Sequence, residues 1–297
     1  MNAEAKTLAE NLLEKLKRGK DRRLSFLLTG RTGVGKSSTV NSLIGKDVAR
    51  VGDYEATTMS VETYDSELNG IKFTVIDTPG LCDDIEEAEN DEKYLGMIKS
   101  KIRNFDCLWF VTRLDETRVS SDEKRGIKLI SEAFGPHVWE HAIIVFTFAC
   151  KVGADKYEEA FMKRTDLIRK EIARHSEELI ASEIPSVAVD NHSHTIPNGT
   201  EWLGELYTKI WQRISKSGAA PFLLATTSSV KPKEPGTEAR IKLTPEQKRE
   251  VKKQIDAKVI PGLAAAGAGI GAAFGPVGAA IGGTIGATVG LVAWLWD

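Results

Sequence analysis

The chain has 297 residues, with 40 lysines and arginines against 42 aspartates and glutamates, for a formal net charge of -2. That length accommodates one sizeable core plus appendages, and the even charge balance excludes a surface built throughout to hold a nucleic-acid polyanion. Cys82, Cys107 and Cys150 lie far apart, with neither zinc-ligand spacing nor the dense pattern of a disulfide scaffold, so a reducing compartment is expected.

Residues 1–20 mix Glu and Lys with Leu8, Leu12, Leu13 and Leu16, the spacing of an amphipathic helix and not the apolar run of a secretion signal. Arg23 to Thr29 reads as a buried strand. It runs directly into Gly30-Arg31-Thr32-Gly33-Val34-Gly35-Lys36-Ser37, a full match to G-x-x-x-x-G-K-[ST], and then into a helical stretch ending near Ile44. In such a loop the glycines let backbone N–H groups curl around phosphates. Lys36 reaches the outer phosphate oxygens, the Ser37 hydroxyl ligates Mg²⁺, and Ser38 follows at the helix start. Thr57 and Thr58 lie in a loop poor in apolar residues. Either threonine suits a switch that closes on Mg²⁺ and the terminal phosphate, and Thr58 is the favoured one.

Val61 to Leu68 and Ile71 to Ile76 form two short strands joined by Asn69-Gly70, a strong hairpin signal that predicts one antiparallel edge. The second strand ends in Asp77-Thr78-Pro79-Gly80. There an Asp holds Mg²⁺ through water and a Gly N–H meets the terminal phosphate. Cys107 to Thr112, Ala142 to Thr147 and Ile184 to Val189 are further apolar runs. Helical stretches at Ser121 to Phe134 and Ala154 to Ala181 separate them, and Glu201 to Ile214 closes the series. Strands alternating with helices predict a mostly parallel sheet covered on both faces.

Ser215 to Leu243 shifts to Ser, Pro, Lys and Gly and reads as a flexible linker. Thr244-Pro245-Glu246-Gln247 carries the cap, the first-turn proline and the capping-box partner of a helix expected to reach Lys258. From Lys231 to Lys258, nine basic residues face five acidic ones, a charge suited to an anionic membrane leaflet. Val259 to Trp296 contains no charged residue. Its glycines recur as Gly267, Gly271, Gly275 and as Gly278, Gly282, Gly286, Gly290, ladders that let helices approach closely, with Pro276 between them. Val277 to Trp296 is 20 residues, roughly 30 Å as a helix and about one hydrocarbon thickness, with Trp294 and Trp296 as interface anchors. A spanning helix, a hairpin insertion and a hairpin packed on the folded domain all fit this composition.

The runs Leu28 to Gly45 (LTGRTGVGKSSTVNSLIG), Asp77 to Leu81 (DTPGL) and Arg113 to Arg118 (RLDETR) resemble the AIG-type GTPases of the septin-like branch, most closely the Toc receptor GTPases of the chloroplast envelope. The resemblance extends from Arg22 to Ile214. It implies a G domain that binds GTP and GDP with Mg²⁺ and pairs as a homodimer across the nucleotide face, with Arg118 reaching toward the partner's phosphates. It also implies that Thr147-Phe148-Ala149 stands at the base-reading segment, with Phe148 where the family has a His, and that Asn191 is the second base contact. No Asp is present there to grip guanine, so stacking by Phe148 carries more of the recognition. Leu81 occupies the place where many GTPases orient water with Gln, which predicts slow hydrolysis until a dimer or a partner assists.

The expected fold is thus α/β: a P-loop G domain with a mostly parallel sheet, one antiparallel edge strand and helices on both faces, then a Gly/Ala-rich apolar helical segment. The expected division is an N-terminal helix (1–20), G domain (21–214), linker (215–243), basic stem helix (244–258) and membrane-associating segment (259–297). The favoured function is a slow GTPase acting as a membrane-anchored switch with its G domain facing the cytosol. Its catalytic set is Lys36, Thr58, Gly80 and Arg118. The alternatives are a G-domain-gated membrane-remodelling or membrane-permeabilising effector and, less favoured, an ATP-dependent enzyme built on the same loop.

Overall fold

In the computed structural model, residues 3–49, 61–78, 88–231, 238–263, 280–281 and 283–296 are described. They form two compact units. One is Ser25–Asp65 with Thr74–Arg213, and the other is Met1–Leu24, Ser66–Phe73 and Ile214–Asp297.

In chain order the elements are α1 (Ala3–Lys20), β1 (Leu24–Thr29), α2 (Lys36–Ile44), β2 (Glu62–Leu68), β3 (Ile71–Thr78), α3 (Ala88–Lys101), β4 (Cys107–Arg113), α4 (Ser121–Phe134), β5 (Ala142–Thr147), α5 (Tyr157–Ala173), α6 (Glu178–Glu183), β6 (Ser186–Ala188) and α7 (Trp202–Arg213). Among the described residues the sheet has six strands in the order β2-β3-β1-β4-β5-β6. Strands β1, β4, β5 and β6 pair in parallel, with Leu28 opposite Trp109, Phe110 opposite Ile144 and Phe146 opposite Ala188. The edge strand β2 is the antiparallel one.

The physical reasons lie in the residues. Strands β4 and β5 are apolar on both faces and buried throughout except at Arg113, as central parallel strands must be. By contrast β2 reads ETYDSEL and leaves its charges exposed, which guards an open edge against pairing with another chain. At the head of α4, the Ser120 side chain accepts from the Glu123 N–H and the Glu123 side chain accepts from the Ser120 N–H, completing a capping box. Helix α3 has no counterpart in the sequence reading, because its charge-rich AENDEKYLGMIKSK shows little apolar periodicity. The helix expected over Ala154 to Ala181 is broken: α5 stops at Ala173, where the Ser176 hydroxyl bonds back to the Ile172 carbonyl, and α6 starts at Glu178.

The second unit is helical. It contains α1, α8 (Lys216–Val230), α9 (Pro245–Lys258) and α10 (Gly283–Trp296), and α8 packs against the other three. Helix α8 corrects the expectation of a flexible linker over 215–243. Ser215 caps it through the Gly218 N–H, and 12 of its residues are buried despite Pro221 and its Ser/Thr-rich end. Burial on all sides, with apolar Ala219 to Ala225 at its middle, outweighs weak intrinsic propensity. Gly19 of α1 lets that helix approach: a Cβ there would stand 2.9 Å from the Ala220 Cβ. The Thr227 and Thr288 hydroxyls meet at 2.8 Å, joining α8 to α10. Lys248 and Lys252 of α9 lie over the Trp294 and Trp296 rings at 3.9 and 5.5 Å, so each of these two rings, expected as membrane-interface anchors, meets a cation of its own chain while Trp294 stays exposed. The hairpin turn belongs to this unit too: the Asn69 amide donates to the Ala225 carbonyl at 2.6 Å, and the Thr284 hydroxyl donates to the Asn69 carbonyl at 3.0 Å.

Among the described residues no helix is long and apolar enough to cross a membrane. The expectation of a transmembrane helix over Val277 to Trp296 is not met by the described α10 and falls partly on residues outside those described. Gly267, Gly271, Gly275, Pro276, Gly278 and Gly282 lie outside the described residues.

Candidate functional site

The loop between β1 and α2 has the backbone that its glycines permit. Gly33 and Gly35 take φ of 75° and 89°, a left-handed region that other residues avoid. At Gly30 the constraint is space: a Cβ would sit 2.1 Å from the Val111 carbonyl oxygen of β4. The loop is thereby drawn tight against the sheet, and α2 begins at once with its N–H groups directed at the loop.

Lys36 is buried and its ammonium is held inside the loop, donating to the Gly30 and Arg31 carbonyls at 2.9 and 3.0 Å. Asp77, at the end of β3, lies 3.6 Å from that ammonium. Burial raises the Asp77 carboxyl above its ordinary pKa, although Lys36 pulls the other way. Among the described residues its Oδ1 is buried without a hydrogen-bond partner. An orphaned carboxylate oxygen next to an ammonium and a set of loop amides fits a hydrated divalent cation with bound phosphate, which supplies the missing partners. Ser37 and Ser38 are half-buried at the same helix start. Thr57, Thr58, Gly80 and Leu81 lie outside the described residues.

Thr147 sits at the end of β5, and its hydroxyl donates to the Val34 carbonyl at 2.6 Å and to the Thr112 carbonyl at 3.2 Å. It is a bolt between sheet and loop. Phe148 follows in the left-handed conformation at φ 55°, half-buried. The Arg113 guanidinium lies 4.2 Å and the Lys151 ammonium 4.6 Å from its ring centroid. Asp115 grips Arg113 at 2.9 and 2.7 Å, and that hydrogen bonding holds its carboxyl below the usual carboxylate range. Asn191, expected at the base edge, spends most of its amide on α2. Its Nδ2 donates to the Thr39 hydroxyl at 3.1 Å and to the Gly35 carbonyl at 3.5 Å, while Oδ1 accepts from Ser42 at 3.4 Å. One oxygen lone pair remains for a ligand.

Arg118 is exposed. Its carbonyl accepts from Arg164 at 2.8 Å. Arg31 of the phosphate loop pairs with Glu116 at 3.1 Å and Asp122 at 3.4 Å, joining the loop to the Arg113 to Arg118 segment. Sequence reasoning missed Arg164, Glu116, Glu123 and Asp190 as members of this region. Asp190 left a local signal by its place before Asn191, Glu123 as the fourth residue of a Ser-x-x-Glu capping box and Glu116 by its place in the Arg113 to Arg118 run, whereas Arg164 left none.

The AIG1 family matches residues 24–210. The chain is 33% identical over 215 residues to translocase of chloroplast 34 of Pisum sativum, covering 67% of this chain and 68% of that protein. Translocase of chloroplast 33 of Arabidopsis thaliana is 33% identical over 221 residues, covering 68% and 73%. The crystal structure of Arabidopsis Toc33 in complex with GDP and Mg²⁺ superposes with a TM-score of 0.53 at 32% identity, covering 70% of this chain and 90% of that one. A dimerisation-deficient arginine-to-alanine mutant of the same protein gives 0.56 at 29% identity, covering 70% and 91%.

Proposed function

The chain belongs to the AIG1 family, and from that premise we propose that it acts as a nucleotide-controlled switch that pairs across its nucleotide face and assembles partners on a membrane. It is a GTP-binding protein and a GTPase, with Mg²⁺ as its cofactor. The observation that most supports the reading is the Lys36–Asp77 ion pair beneath the loop, an ammonium beside a buried carboxylate oxygen that accepts no hydrogen bond from the described residues.

The backbone amides of Gly30 to Gly35 and of Ser38 surround the phosphates, and Lys36 turns from its carbonyl partners to the β and γ oxygens. Ser37, Asp77 and Thr58 would hold Mg²⁺, whose charge would offset that of the phosphates. The Gly80 N–H senses the γ-phosphate. Phe148 stacks on guanine, and Asn191 offers its remaining lone pair to the base edge. With Leu81 where a water-orienting Gln would stand, hydrolysis is slow until Arg118 of one protomer reaches the phosphates of its partner.

Two relatives speak to pairing: the Toc33 mutant is described as dimerisation-deficient, and another solved structure, at TM-score 0.55, links dimerisation to GTPase activity in chloroplast translocon components. Turnover per molecule is therefore expected to rise with protein concentration. Arg118→Ala is expected to remove that rise by roughly tenfold or more while GDP affinity stays nearly unchanged. A turnover independent of concentration in the unaltered chain would sink the dimer half of the proposal.

The membrane half rests on the uncharged stretch Val259 to Trp296 and its basic neighbour α9. Full-length protein is expected to float with vesicles containing anionic lipid, to an extent that differs between GDP and a GTP analogue. Protein that remains in the buffer layer with both nucleotides contradicts it.

A further inference from the structure

Phe148 is one of two non-glycine residues with positive φ among those described, and it stands in the segment that reads the base. A bulky side chain in the left-handed region is strained, and such strain persists only where neighbours over-determine it. The bracing here is specific. Just beyond β5 and β6, the Ala149 N–H donates to the Val189 carbonyl at 3.2 Å, extending the parallel pairing by one step. Next to it lies the buried carboxylate of Asp190. One oxygen accepts from the Cys150 N–H at 2.9 Å and the other from the His192 N–H at 3.0 Å. One side chain thus clasps the loop carrying Phe148 to the loop carrying Asn191, and Asn191 is itself tied to α2 through Thr39.

We propose that Asp190 is the positioning residue of the base site: by holding the Cys150 and His192 N–H groups on one carboxylate, it fixes the left-handed backbone of Phe148 and so the plane in which that ring meets guanine. This rests on the reading that Phe148 stacks on the base. Without the clasp, Phe148 relaxes to negative φ, its ring swings away, and the base half of the site is lost. The phosphate half, built on Lys36 and the glycine loop, stays.

An Asp190→Asn side chain accepts only through its single oxygen, so it keeps one of the two N–H partners and loses the other. GDP binding is expected to weaken roughly tenfold to hundredfold, with KM for GTP rising in step. Both kcat at saturating GTP and binding of Mg²⁺ with inorganic triphosphate are expected to be unchanged. Phe148→Gly takes the left-handed conformation without strain and has no ring. It is expected to weaken GDP binding roughly tenfold or more, and Asp190→Asn added to it is expected to cost little further, because the ring is gone and Asn191 stays held by Thr39 and Gly35. Since the glycine needs no bracing, this double variant also stays readable if Asp190→Asn alone folds poorly. Equal losses from Asp190→Asn with and without Phe148, or a loss of triphosphate binding alongside GDP, would overturn the proposal and leave the stacking role of Phe148 standing. Unchanged GDP binding in Phe148→Gly would overturn both.

Discussion

Lys36→Ala is expected to reduce nucleotide affinity by about a thousandfold or more and to destabilise the nucleotide-free protein by about 3 kcal/mol. The first effect follows from placement: a buried ammonium at the mouth of the phosphate loop is lost, and no other described cation takes its position among the loop carbonyls. The second follows from what stays behind. Asp77 keeps its burial but loses the charge 3.6 Å from its Oδ1. Burial already raises the Asp77 pKa, with Lys36 as the main opposing influence, so the substitution raises it further. A carboxyl whose folded pKa lies above its unfolded value favours the fold below the unfolded pKa, and that advantage is lost as pH rises through the folded pKa. The stability of Lys36→Ala is therefore expected to fall more steeply between acid and neutral pH than that of the unaltered protein. Adding Asp77→Asn is expected to flatten the profile and restore most of the stability without restoring nucleotide binding. Urea unfolding across that pH range, with nucleotide removed, measures both.

Arg164→Met is expected to cost about 3 to 5 kcal/mol of folding stability, because it strands a buried carboxylate. Arg164 comes from α5 and is 2% exposed. Its guanidinium donates to Glu123 at 2.6 Å, to the Thr112 hydroxyl at 2.8 Å and to the Arg118 carbonyl at 2.8 Å. Glu123 in turn meets Thr112 and accepts from the Ser120 N–H at 2.8 Å to cap α4. One ion pair thus locks α5, β4, the head of α4 and the segment that presents Arg118. Arg164→Met with Glu123→Met removes both charges and is expected to recover a good part of the loss, as buried pairs replaced whole by apolar residues do. Denaturant midpoints compare the three variants at constant slope. A single-variant loss below about 1 kcal/mol would mean that the pair is solvated and not buried.

Much of the α/β unit was legible because its signals are local. The glycine loop and the apolar runs of β4 and β5 each need only a few adjacent residues, as do the Asn69-Gly70 turn and the Thr244 and Gln247 cap in the helical unit. What escaped depends on contacts distant in sequence. Helix α8 has a composition that reads as loop, and it exists because α1, α9 and α10 surround it. Arg164 looked like one more basic residue on a charged helix until it reached Glu123, 41 residues away. The same holds for Asp190 and the Cys150 N–H, 40 residues apart. Asn191 was expected at the base edge, and its hydrogen bonds to Thr39 and Gly35 could not be read from its type.

The central claim is that the loop from Gly30 to Ser37 holds a guanine nucleotide with Mg²⁺ and that the nucleotide sets the state of association. The direct measurement is a titration of the full-length protein with GDP and with a GTP analogue, with Mg²⁺ present and then chelated, while molecular mass in solution is followed. The expected result is Mg²⁺-dependent binding of both, a mass that differs between them, and no displacement by ATP at comparable concentration. Displacement by ATP at that concentration, or a mass indifferent to which nucleotide is bound, would contradict it.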